Sequence, residues 1–125
     1  PGSIGASLPL EAYLRHFTTL PEPVRTRITE RWGDASRDPF FTAGAFHLPV
    51  RLYGNTAVAI QPARGYNIDP KSTYHDPALL PPHGYLAFYF WLRHHFGAHA
   101  VIHNGKHGNL EWLPGKATAL SAECL

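Results

Sequence analysis

The sequence predicts a mixed α/β fold, and three observations carry that prediction. Leu10, Tyr13, Leu14 and Phe17 recur at i, i+3, i+4 and i+7, the spacing of one helix face. Leu48, Val50 and Leu52 alternate on one side of Gly54-Asn55, and Val58 and Ile60 alternate on the other, as in two strands joined by a tight turn. A stretch apolar almost all round, Tyr85 to Leu92, then precedes the short apolar run Ala100-Val101-Ile102. Together these read as two N-terminal helices, a strand pair and a βαβ-like unit.

Taken in order, Ser7 is placed to cap the first helix, with Pro9 in its opening turn and Glu11 near its positive end. Pro21 and Pro23 open the second helix. Val24, Ile28 and Trp32 form its apolar stripe, Gly33 stops it, and Arg25, Arg27, Glu30 and Arg31 read as its solvated face. Residues 34–45 are rich in turn formers. The strand pair follows over about 46–62, and Pro49 assigns its first strand to a sheet edge, since proline cannot donate to a ladder. Pro81-Pro82 launch a helix over 83–96 that Gly97 ends. A helix apolar on all sides belongs inside a larger protein, so in this chain alone it is expected to leave an apolar patch exposed. A strand over 99–103 completes the crossover, which is long enough to be right-handed.

The stretch after that strand carries the chemistry. His103, His107 and Glu111 follow one another at intervals of four, interrupted by Gly105 and Gly108. Glycine disfavours a continuous helix there and permits close approach of backbone to a ligand. The site is thus expected at the C-terminal end of a strand, where open α/β sheets place ligands. Two other assignments fail on residues. Asn104 stands where a His-Glu-x-x-His zinc protease needs glutamate, and Leu110 and Ala117 break the Walker pattern around Gly115-Lys116, so ATP is not expected on this chain. Upstream, Gln61-Pro-Ala-Arg64-Gly-Tyr-Asn67 supplies a guanidinium and two amides suited to carboxylate or amide edges, or else a surface loop with a salt-bridged arginine. The proline-spaced segment 68–82 is longer than a usual connection, which favours a positioning role.

Length and composition bound the rest. The 125 residues make one segment's worth of chain with 44% hydrophobic residues and a net charge of +2, too small a charge to imply nucleic acid. Nine histidines are the unusual count, and several lie beside aromatics, which favours a pocket. The single Cys124 cannot form an internal disulfide and fits a reducing compartment, hence the cytoplasm. No apolar run approaches the ~20 residues of a membrane span, and the N-terminus lacks the pattern of a signal peptide.

The run His103-Asn-Gly-Lys-His-Gly-Asn-Leu-Glu-Trp-Leu-Pro-Gly-Lys116 resembles the signature of the family of CobN, the large subunit of aerobic cobaltochelatase, and of the magnesium chelatase H subunit. Gln61–Asn67, Tyr74-His-Asp-Pro77 and Pro81-Pro-His-Gly-Tyr-Leu-Ala-Phe-Tyr89 extend the resemblance upstream. Lys106, Asn109 and Trp112 resemble the cobalt branch; the magnesium branch tends to have threonine, serine and phenylalanine there. Asn104 departs from the apolar residue expected at its position.

The resemblance implies an internal segment of a much longer subunit. That subunit would be a nitrogen–metal ligase inserting Co2+ into hydrogenobyrinic acid a,c-diamide in cobalamin biosynthesis, with ATP and Mg2+ bound by ATPase partner subunits. Metal insertion requires two pyrrole N–H protons to leave, the ion to shed water and the ring to be held. His103, His107 and Glu111 are the candidates for metal handling and proton removal, because imidazole and carboxylate both bind cobalt and accept protons near neutrality. Arg64, Asn67, Asn109 and Lys116 are the candidates for holding the tetrapyrrole periphery. Trp112 could cover a macrocycle face or fill a core. A magnesium chelatase H subunit acting on protoporphyrin IX, a non-catalytic metal- or tetrapyrrole-binding module, and a small zinc hydrolase using the same three ligands remain as alternatives.

Overall fold

A computed structural model describes residues 3–66, 78–105 and 113–114. Its elements are β1 (Ser3–Pro9), α1 (Leu10–Phe17), α2 (Glu22–Trp32), a short 3-10 turn (Ala35–Arg37), β2 (Phe41–Thr42), β3 (Ala45–Tyr53), β4 (Thr56–Ala59) and α3 (His83–Phe90), which runs on into a π turn over Trp91–His95. The mixed α/β class, both N-terminal helices, the strand pair and its Gly54-Asn55 turn are as the sequence predicts.

The sheet is antiparallel and built on β3. β1 pairs along one side of it, while β2 and β4 share the other. β3 alternates as a half-buried strand should: Phe46, Leu48 and Val50 face inward at 0–4% exposure, while His47 and Arg51 face out. On that inner face lie Tyr13 and Phe17 of α1 and the buried side of α3, with Val24, Ile28 and Trp32 of α2 completing the core. The predicted α2 stripe is thus the buried one. Gly33 closes the helix at φ +80°, with its N–H donating to the Thr29 carbonyl.

Several expectations are corrected. Ser7 lies inside β1 and does not cap α1; the first free N–H of that helix, at Leu10, is satisfied by the Gly44 carbonyl instead. Leu14 is 41% exposed, because Ala12 and Tyr13 turn the buried face of α1 away from it. Pro49 sits in the central strand, not at an edge. It belongs to no ladder pair: β2 pairs with Ala45 and Phe46 of β3, β4 pairs with Val50 to Tyr53, and the β1 ladder shifts register between Ile4 and Ala6. A proline at such an irregularity withholds no hydrogen bond from the ladder.

Residues 99–103 form no strand, so the βαβ-like crossover and the placement of the site at a strand end do not hold. The apolar run there is only three residues long, pairs with no described strand, and leaves Val101 51% and Ile102 90% exposed. Periodicity cannot separate so short a run from a loop. Finally, α3 does not expose the expected apolar patch. His83 to Phe88 are all buried within this chain, and among the described residues the exposed large apolar side chains lie elsewhere, at Leu14, Tyr53, Val58, Ile60, Val101 and Ile102. The helix end does follow prediction: Gly97 takes φ +71°, and Ala98 N–H reaches back six residues to Leu92 O, one residue further than in a Schellman stop, as the π turn before it requires.

Candidate functional site

Two polar arrangements stand on α3, one at each end. At its start, His83 is 2% exposed and bonded through both ring nitrogens. Nε2 lies 2.9 Å from Gly33 O. A carbonyl only accepts, so Nε2 carries the hydrogen, and in the neutral ring Nδ1 accepts from Tyr13 OH at 2.6 Å. Asp38, also buried, accepts from Gly84 N–H at 2.8 Å and from Phe40 N–H at 2.9 Å, placing a carboxylate on the first turn of the helix. Burial pushes the Tyr13 hydroxyl far above the ordinary phenol range, with Asp38 adding to it. Burial also lowers the His83 pKa, against the opposing pull of the Gly33 carbonyl, Asp38 and Asp34.

The pH consequence has a definite sign. The unfolded chain protonates its histidine near the ordinary value of about 6.5, whereas folded His83 protonates only at lower pH. Its contribution to stability is therefore complete above about pH 6.5 and is lost as pH falls from there towards the folded value. Denaturant midpoints measured at pH 7 and pH 5.5 should drop less in His83→Gln than in the parent; equal drops would contradict the assignment. Tyr13→Phe leaves a buried ring nitrogen without its donor and should cost about 1–3 kcal/mol at pH 7.

Further along α3, Gln61 donates from Nε2 to the hydroxyls of Tyr85 (3.0 Å) and Tyr89 (2.7 Å). Burial and then Tyr85 raise the Tyr89 hydroxyl well above its usual pKa, so it stays protonated. Gln61 and Tyr89 of this triad line a cleft of about 440 Å³, together with Ala57 and Ala59 of β4, Leu92 of the π turn and His103 beyond it. The cleft thus has apolar walls, neutral hydrogen-bonding groups on one wall and an imidazole among its lining residues.

Of the residues singled out from sequence, His103 lines this cleft and is exposed. Arg64 is 2% exposed, and its Nη2 donates to Leu79 O at 3.0 Å, which ties the loop after β4 to the approach to α3. Asn67, His107, Asn109, Glu111, Lys116 and Trp112, together with the segment 68–77, lie outside the described residues. Among the described residues no group of three or more His, Cys, Asp or Glu side chains is placed to hold a metal ion. Among them, too, no helix is long and apolar enough to cross a membrane.

Sequence reasoning missed Gln61 as a partner of Tyr85 and Tyr89, and Tyr13 as a partner of His83. Pairings across 24, 28 and 70 residues leave no local signal. A third group was also missed. His16 of α1 meets His94 and His95 of the π turn, and its pKa is lowered by burial first and then by His94, His95 and Arg15.

Comparison with known proteins agrees with the motifs. A family model described as CobN/Magnesium Chelatase matches residues 3–125. The aerobic cobaltochelatase subunit CobN of Sinorhizobium sp. is 59% identical over 92% of this chain, and that of Pseudomonas aeruginosa is 58% identical over 94%. The magnesium-chelatase H subunit of Chlorobaculum parvum is 40% identical over 80%. The catalytic subunit of cobaltochelatase from Mycobacterium tuberculosis superposes with a TM-score of 0.75 at 42% identity, covering 96% of this chain and 11% of that one. This chain spans only 9%, 10% and 8% of the three curated relatives' own lengths. With the model matching all but the first two residues, the chain belongs to the CobN/magnesium chelatase family.

Proposed function

We propose that this chain is one segment of the tetrapyrrole-binding large subunit of an ATP-dependent cobaltochelatase, which inserts Co2+ into hydrogenobyrinic acid a,c-diamide during cobalamin biosynthesis. The observation that carries the reading is the 59% identity over 92% of the chain to a protein named as an aerobic cobaltochelatase subunit. Identity to a magnesium-chelatase protein of the same family is lower, at 40%. In this reading the subunit works in the cytoplasm, and ATP and Mg2+ sit on ATPase partner subunits.

The reaction exchanges two pyrrole N–H protons for one divalent ion. Cobalt is a substrate here, passed to the ring. His103 and His107 offer neutral imidazoles to the ion as it sheds water, and Glu111 accepts a proton from the ring. Asn67, Asn109 and Lys116 hold the ring's carboxylate and amide periphery, for which side-chain amides and an ammonium are suited partners, while Arg64, buried with its Nη2 on Leu79 O, serves by tying down the loop after β4. The cleft beside His103 supports this assignment, since its apolar side chains and the protonated Tyr89 phenol suit a flat ring with polar edges.

The test uses the full-length subunit with its ATPase partners and ATP. It should form the cobalt product from Co2+ and hydrogenobyrinic acid a,c-diamide, and form none from Mg2+ and protoporphyrin IX. The reverse preference would assign it to the magnesium branch. Insertion of neither metal, with ring binding retained, would favour a binding module. The 125-residue chain alone is expected to insert no metal.

A further inference from the structure

We propose that His16 and His95 form a two-histidine chelate for a first-row divalent transition ion on the surface of this protein, separate from the cleft and from the motif His103–Lys116. The two Nε2 atoms face each other at 3.0 Å. At an ion about 2.1 Å from each, nitrogens at that separation subtend about 90°, the angle of adjacent positions in octahedral or square coordination. That geometry suits Ni2+ and Cu2+ better than a tetrahedral ion, and water completes the shell because both rings are at the surface.

The rings are held in place before any ion arrives. His16 stands in the last turn of α1, against Phe90 at 5.4 Å and against His94, whose ring lies nearly parallel to it at 4.4 Å and 11°. His94 is stacked on its neighbour and braces the ring without joining the chelate. His95 comes from the π turn Trp91–His95, closed by the bond from Phe96 N–H to Trp91 O. Such single π turns recur at functional sites because they break the regular helical phase. Here the turn presents His94 and His95 to the same histidine of α1, with His95 edge-on to it at 88°.

The exchange balances without a co-reactant. In the metal-free pair one ring holds its hydrogen on Nε2 and donates it to the other nitrogen. When the ion enters, that ring shifts its hydrogen to Nδ1, both Nε2 lone pairs bind the ion, and water ligands leave it. No net proton is released.

The test is carbethoxylation of histidines in the full-length protein, read peptide by peptide by mass spectrometry over a series of Ni2+ concentrations. His16 and His95 should be protected together, with one midpoint. His95→Gln should raise the Ni2+ concentration that half-protects His16 by about tenfold or more, since the second ligand of a linked pair supplies its effective concentration. His94→Gln should leave that midpoint within about threefold, because it removes a brace and keeps both ligands. No protection of His16 in the parent, or an unchanged midpoint in His95→Gln, would overturn the proposal.

Discussion

Replacing Gly84 by alanine should destabilise the chain by about 3 kcal/mol, the upper range for forcing atoms into a packed interior. Gly84 is the second residue of α3, where its N–H donates to Asp38. A Cβ there would stand 2.5 Å from Asp38 Oδ1 and 2.6 Å from Phe40 Cδ2. Neither neighbour can step aside cheaply. Asp38 is 4% exposed and fixed by its bonds from Gly84 and Phe40, and Phe40 packs against the core. Relief therefore requires the helix start to move off the 35–40 segment, taking His83 away from Tyr13 and Gly33. Denaturant unfolding should show a lower midpoint with an unchanged slope. Gly5→Ala, at φ +89° but with nothing within 4 Å of its Cβ position, separates the two kinds of cost and should lose only about 1 kcal/mol of left-handed strain. Equal midpoints for Gly84→Ala and the parent would mean that the contact with Asp38 is not tight.

The elements legible in the sequence are those whose signal is local. Val24, Ile28 and Trp32 repeat at one spacing and are buried together, and Gly33 and Gly97 end their helices at positive φ. The Gly54-Asn55 turn marked the β3–β4 hairpin. What failed depended on partners far along the chain. Ile4, Ala6 and Leu8 alternate as a strand would, but Ser7 and Pro9 offered a competing helix start, and only pairing with β3 decides between the two. The run at 100–102 erred the other way, since a strand-like pattern needs an available edge as well as apolar residues.

The family was legible by motif. Nine histidines suggested imidazole chemistry, and the family-like run His103–Lys116 is where the proposed site is assigned. The uses of individual histidines differ sharply. His83 is a buried core residue held by Tyr13 and Gly33, His103 lines a cleft, and His16 meets His94 and His95 across 78 and 79 residues. Composition gives all of them the same weight, and only packing separates them.

The second large effect concerns Glu111, which lies outside the described residues and whose role rests on its place in the motif. Metal insertion needs a group that takes a pyrrole proton while the ion is delivered. Of the three candidates, the carboxylate is the one whose basic function can be removed with least change of shape. Glutamine keeps the length and the hydrogen-bonding capacity of the side chain and removes its basicity. In the alternative, Glu111 only pins its loop by accepting backbone N–H bonds, a task glutamine's carbonyl oxygen can share. The direct measurement is the rate of Co2+ insertion by full-length Glu111→Gln with its ATPase partners, alongside its affinity for the ring. Ring affinity should be retained and insertion should fall by about 10²-fold or more, the scale of general-base catalysis. Insertion near the parent rate would contradict the assignment and return the base to His103 or His107.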